Sequence, residues 1–291
     1  MGTKSILAAS ASTTSTNRIQ HFRRMDTQLI FLCSLTFIIH LVGTLAYSIR
    51  IAGVRTRKIA ISFALFNILV LVSRTSNSFL GPFLAKRVEN NLLESAAHHL
   101  LADFRWLLLS STLATLVGAF MIPTFQRVFS RAVQHFQAHR SIPKLILHAF
   151  FKGGLSYVKL SASLPARGNV TGLRRARGIS VWIIASNIGA TALWTVGVFA
   201  SLYAGYLNPD VRVTSSTLSS IINGGATIVM AICIDPHLSG ITDDVIEGKM
   251  TESQFRQSVV WLVGSRSTGT LLAQLLLVPA AQLIALVAEI L

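Results

Sequence analysis

A chain of 291 residues that is 52% hydrophobic, only 13% charged and +0.58 in mean hydropathy is too poor in charge for a soluble domain, in which about a quarter of residues are charged. The net charge of +15 and pI of about 11.1 would suggest nucleic acid in a soluble protein. Here most of the basic residues flank long apolar runs, where they set orientation and meet anionic lipid. The runs are continuous rather than alternating, which argues against a β-barrel, so the expected fold is an all-α polytopic membrane protein. Cys33 and Cys233 both fall inside predicted spans and read as small packing residues rather than a disulfide.

Residues 1–26 are Ser/Thr-rich and have the composition of a disordered extension, with Met25 as an alternative start; a single transmembrane domain is expected over 27–291. The first span is Thr27–Ile49 and carries His40 and Thr44. After a basic turn, Ile59–Val72 is too short to cross a bilayer, which takes about 20 residues. The second span therefore has to carry Ser73, Arg74, Thr75, Ser76, Asn77 and Ser78 into the membrane to reach Phe79–Ala85. An arginine near the bilayer centre costs at least roughly 2.5–3.5 kcal/mol on insertion scales, so Arg74 calls for an interior, a wet cavity or an anion. The alternative is a span-end arginine snorkelling to the headgroups.

A polar connector, Lys86–Asp103, leads to a third span, Phe104–Ile122, expected to stop at Pro123. The basic stretch Thr124–Gly178 then places Phe125, Val128, Phe129, Ala132, Val133 and Phe136 on one helical face, which fits an interfacial amphipathic helix. A second interfacial piece is expected over Lys144–Leu160. The fourth span, Ile179–Leu207, has Gly197, Ser201 and Gly205 in a stripe that lets another helix approach closely. The turn Asn208-Pro209-Asp210 opens a fifth span, Thr214–Ile234, ended by Asp235-Pro236, and a polar connector His237–Ser253 follows. A sixth span is expected at Val259–Val278, followed by a C-terminal apolar helix lying along the membrane. With six spans the larger share of Lys and Arg falls on the side of the first, third and fifth connectors, which puts those loops in the cytoplasm and both termini outside.

The sequence also echoes itself. Leu35, Ile38, Ile39, His40 and Thr44 match Leu218, Ile221, Ile222, Asn223 and Thr227 at one constant offset, and the surroundings of Arg74 resemble those of Arg266 in Leu262–Thr268. Spans one–two and five–six would then be duplicated helical hairpins, and internal repeats are common in transporters.

The run from His40 to Thr56 (HLVGTLAYSIRIAGVRT), continued by Ile59–Asn77 with its Ser-Arg-Thr-Ser-Asn, is similar to the Amj family. The similarity is strongest over residues 27–90 and extends through the chain. It implies a bacterial lipid II flippase, an alternative to MurJ. Such a protein moves the undecaprenyl-pyrophosphate-linked disaccharide pentapeptide from the inner to the outer leaflet of the cytoplasmic membrane, for peptidoglycan synthesis and cell shape. Its partners would be lipid II and membrane lipids, with no nucleic acid and no cofactor.

The family supplies no residue-level motif, so the site rests on chemistry. A pyrophosphate suits the guanidinium fork, which selects Arg74 and Arg266, with Ser73 and Asn77 able to line the same groove. His40, Asn67 and Asn223 are further polar candidates within spans. A proton relay or a head-group contact would suit His40, although a lone histidine in a span is more often a helix–helix hydrogen bond, and the two asparagines share the ambiguity. Asp235, Asp243 and Asp244 match no strong metal pattern. There is no Walker A loop. A membrane enzyme acting on polyprenyl phosphate would be expected to carry a Ser-Gly-His, which is absent; Ser239-Gly240 lacks the histidine. A non-transporting cell-wall scaffold would leave the intramembrane arginines unexplained.

Overall fold

The computed structural model describes residues 3–93, 100–139, 154–163 and 179–291, and side chains within 27–92, 100–136, 158–163 and 179–291. All regular structure among these residues is helical. The helices are α1 (Thr3–Thr56), α2 (Ile59–Leu93), α3 (Leu100–His139), the short α4 (Gly154–Ser161), α5 (Val181–Leu207), α6 (Arg212–Val229), α7 (Asp235–Ile246) and α8 (Glu252–Ile290). A 3-10 turn, Pro209–Val211, precedes α6, and a π-helical turn, Met230–Ile234, joins it to α7. Six stretches are long and apolar enough to cross a membrane: Thr27–Thr56, Ile59–Leu92, Leu100–Phe136, Val181–Leu207, Pro209–Ile246 and Glu252–Ile290. The protein is a multi-pass helical membrane protein with six candidate spans among the described residues.

Helix α1 is drawn back to Thr3 as one continuous helix, and its membrane-crossing part starts at Thr27. The expected stop at Pro123 is absent: Pro82 in α2, Pro123 in α3 and Pro279 in α8 all sit inside helices. Each costs a backbone hydrogen bond, but neighbouring helices and hydroxyls compensate in a bundle. Thr124, next to Pro123, exchanges hydrogen bonds with the backbone of Ser163 at 3.1 and 3.2 Å. The amphipathic face expected to lie on the membrane surface instead packs inward. Val133 is fully buried with Ile49 and Leu65, and Phe129 and Ala132 pack beside them. Of the second interfacial piece, Lys144–Leu160, only 154–160 is described, and its other residues lie outside the described set. The C-terminal part of α8 does not run along the membrane either: Leu277, Ala281, Ile284 and Ala288 belong to the main core.

Local chemistry sets the turns. Gly53, near the end of α1, lies so close to α2 that an added Cβ would stand 2.7 Å from the Ser62 Oγ. That hydroxyl donates to the Ile49 carbonyl at 2.5 Å, tying the two helices together at their turn. Ser180 caps α5, and Thr251 with Gln254 forms a reciprocal capping box at the start of α8. The π-turn precedes Pro236, whose missing N–H removes one rung of the helical ladder there. The stripe Gly197–Gly205 works as expected: a Cβ at Gly197 would meet Asn223, and one at Gly205 would meet Arg212, so α5 and α6 approach closely.

Helices α1, α3, α5 and α8 form the centre, with α1 packed mainly on α3 and α5 mainly on α8. Helix α2 leans on α1, and α6 leans on α5. The hairpins suggested by the sequence echo do not pack alike. Helices α1 and α2 are closely apposed, whereas α6 and α8 touch lightly. Gly269 is a critical contact in the α5–α8 seam, because a Cβ there would lie 2.7 Å from the Ile188 carbonyl oxygen and 2.8 Å from the Thr191 Cβ. Backbone cannot yield as a side-chain tip does. Gly269→Ala is expected to lower stability by about 1–3 kcal/mol, the usual cost of overpacking, read as a lower thermal midpoint of the detergent-solubilised protein.

Candidate functional site

The two arginines are not brought together. Arg74 lies halfway along α2 and is exposed, with no ion-pair partner among the described residues. Its neighbour Ser73 is buried and donates to the Ile39 carbonyl at 3.3 Å, which fixes α2 on α1. Asn77 is half-buried and Asn67 is exposed on the same helix. Asn223 sits at the α5–α6 crossing with its Oδ1 buried and without a hydrogen-bond partner.

Arg266 is in a different position altogether. It is 8% exposed, deep in the seam between α8, α1 and α5, and its Nε has no hydrogen-bond partner. Gly43 of α1 makes room for it: a Cβ there would stand 2.7 Å from one guanidinium nitrogen. The Tyr47 hydroxyl, one turn further along α1, is the group with which the guanidinium interacts electrostatically. No carboxylate pairs with Arg266 among the described residues. A desolvated cation without a counter-ion is costly, so it is not a snorkelling span-end residue.

Around it lies a ring of polar side chains from three helices. His40 is 3% exposed, stands edge-on to Trp194 at 5.5 Å and leaves its Nδ1 unbonded. Asn187 donates from Nδ2 to the Leu262 carbonyl at 2.8 Å and to the Ser265 Oγ at 2.7 Å, holding the residue before Arg266. The hydroxyls of Thr191 and Thr195 are buried without partners. The set offers one fixed positive charge, neutral donors and no acid, which is the chemistry of an anion site. Sequence reasoning picked out His40 and Arg266 but missed Asn187, Tyr47 and Trp194. Asn187 carried the available signal, as an amide inside an otherwise apolar span.

A cavity of about 450 Å³ opens between α1, α3 and α8 and reaches Gly264 and Ser267, which flank Arg266 in sequence. Its walls are apolar, from Ile51, Leu116, Phe120, Val259 and Val263, and its rim carries Arg55, Arg127 and Arg256. Glu252 pairs with Arg55 at 3.2 Å and with Arg256 at 2.5 Å, so the rim keeps an excess of positive charge. Two further acids near spans make ion pairs that join helices. Asp235 pairs with Arg50 at 3.0 Å, while Arg50 stacks over Phe66 at 4.9 Å. Asp103 is buried against Arg87 at 2.7 Å rather than solvated in a loop.

Fold and site together define a polytopic helical membrane protein with a buried cation inside its bundle and a separate apolar cavity with a basic rim between α1, α3 and α8. The family described as "Amj: Alternate to MurJ" matches residues 35–288. A protein of Bacillus subtilis (strain 168) named "Lipid II flippase Amj" is 37% identical over 270 residues, covering 90% of this chain and 97% of that protein. The chain belongs to the Amj family. No solved structure matches it.

Proposed function

We propose that this chain is a flippase for lipid II, moving the diphosphate-linked disaccharide pentapeptide from the inner to the outer leaflet while its polyprenyl tail stays in apolar surroundings. The observation that carries the reading is Arg266, a buried guanidinium with an unbonded Nε and no carboxylate partner among the described residues. A diphosphate supplies the missing counter-charge, and His40 and Asn187 flank it. The cavity between α1, α3 and α8 offers an apolar bed for the start of the tail beneath a basic rim that gathers the anionic head. The similarity to a protein named lipid II flippase supports the same substrate. The direct test depletes the resident lipid II flippase of a bacterial host while expressing this protein and measures lipid II exposed on the outer surface. Restored exposure is expected, and continued accumulation inside would sink the proposal.

Arg55 and Arg256 lie near the ends of α1 and α8 beside basic connectors, and the charge bias supports a cytoplasmic mouth with both termini outside. A reporter that functions only outside the cytoplasm, fused after Leu291, is expected to be active. Arg74 plays a lesser part in this scheme. It is exposed halfway along a peripheral helix and does not line the cavity between α1, α3 and α8. Arg74→Ala is expected to lower rescue by less than about tenfold, roughly 1.4 kcal/mol, measured by lipid II exposure at matched protein levels.

A further inference from the structure

The packing pattern repeats, but not in the hairpins that the sequence echo suggested. In the first half, α1 packs chiefly on α3 and next on α2, while α2 and α3 barely meet. In the second half, α5 packs chiefly on α8 and next on α6, while α6 and α8 barely meet. The middle helix of each half is also the most exposed: 17% of the most apolar stretch of the second span and 11% of that of the fifth is buried. Across the halves, α3 packs on α8, and the lighter contact of α1 with α8 is answered by one of α5 with α3.

Side chains repeat with the helices. A Cβ at Gly118 of α3 would lie 2.8 Å from the Thr44 Cβ of α1, and a Cβ at Gly269 of α8 would lie 2.8 Å from the Thr191 Cβ of α5. Superposing Thr44 on Thr191 also aligns His40 with Asn187, Leu41 with Ile188, Tyr47 with Trp194, Ser48 with Thr195 and Ile49 with Val196. Local sequence and contact geometry therefore select one register independently. The glycine register aligns Thr115 with Arg266, each three residues before its glycine.

We infer that the chain is an inverted repeat of two three-span units, α1–α3 and α5–α8, and that the path opens to the two membrane faces in turn as the units exchange conformations around Arg266. Three spans per unit make the units run oppositely across the bilayer. Transporters of this construction place their site at the repeat interface, and His40 and Asn187, equivalent residues of the two units, flank Arg266 there. The single cation in place of Thr115 breaks the symmetry, leaving one anion site rather than two. Exchange of the units exposes one member of each equivalent pair to one face and the other member to the opposite face.

The alternation rests on the transport reading, but its test reads access rather than lipid movement. In a Cys33→Ser/Cys233→Ser background, Thr44→Cys and Thr191→Cys are each exposed to a charged, membrane-impermeant maleimide, in intact cells and in inverted vesicles. Ser48→Cys and Thr195→Cys form a second pair, in case one variant of the first does not accumulate. A permeant maleimide after denaturation counts the total thiol. One member of a pair is expected to react from outside and the other from inside. Reaction of both from the same face, or of neither from either face, overturns the inverted repeat as the working device. Opposite-face labelling in a protein that fails the lipid II rescue supports the repeat and removes the substrate assignment instead.

Discussion

Arg266→Met is expected to lower lipid II exposure in the rescue assay at least about 30-fold while leaving the protein more stable than the parent. The two effects have separate physical origins. A buried charge loses its hydration, at an effective penalty of several kcal/mol per ion, and only a good partner offsets this. Arg266 has the Tyr47 hydroxyl but no carboxylate among the described residues. An apolar side chain of similar length removes that cost, and replacement of buried charges by packed apolar groups has been worth about 1–4 kcal/mol in favourable cases. A gain in that range is expected in the thermal midpoint of the substrate-free protein. Transport moves the other way. Removing one partner of a buried, hydrogen-bonded charge pair costs about 2–5 kcal/mol, which is a loss of at least about 30-fold at tenfold per 1.4 kcal/mol. Arg266→Lys keeps the charge but loses the planar fork that grips two phosphate oxygens, so it is expected to retain a fraction of the activity. A purely structural arginine would show the opposite sign in stability, with Arg266→Met unfolding the protein and activity falling only in proportion to protein level.

The fold class was legible because hydropathy and charge report it directly: long uninterrupted apolar runs allow little else in a membrane. Helix ends were read less well. Pro123 suggested a stop, but within a bundle a proline interrupts the ladder without ending the helix: α3 runs on to His139, as α8 runs through Pro279 to Ile290. The candidate site was half legible. Arg74 and Arg266 look alike as sequence, since each is an arginine among hydroxyls in an apolar stretch. What separates them is the neighbour each helix finds. Gly43 admits Arg266 into a seam between core helices, whereas α2 is peripheral and leaves Arg74 outside. That difference belongs to tertiary packing and has no local signature. The repeat was hidden for a related reason. The echo between His40 and Asn223 is carried by apolar residues common to many spans, while the match of His40–Ile49 to Asn187–Val196 becomes specific only when Gly118 and Gly269 fix the register.

Asp103→Ala is expected to destabilise the protein by about 3–5 kcal/mol, the cost of leaving one partner of a buried ion pair uncompensated. The Arg87 guanidinium and the Asp103 carboxylate are 5% and 9% exposed, with Nε and a terminal nitrogen both on one carboxylate oxygen at 2.8 and 2.7 Å. The pair joins the end of α2 to the start of α3, helices that share few other contacts. It sits where Leu80, Leu84 and Val88 of α2 enter the main core beside Leu100 and Phe104 of α3, and Asn91, one turn on, donates to the Arg87 carbonyl at 2.9 Å. Breaking it leaves a charge buried at this joint, while the Ser62 and Ser73 bonds keep the earlier part of α2 on α1. The double variant Arg87→Met/Asp103→Leu separates the two contributions. It removes both buried charges together, so the thermal midpoint is expected to recover most of the loss seen in Asp103→Ala. Equal destabilisation by the single and double variants would mean that packing shape, rather than the uncompensated charge, sets the cost at this joint.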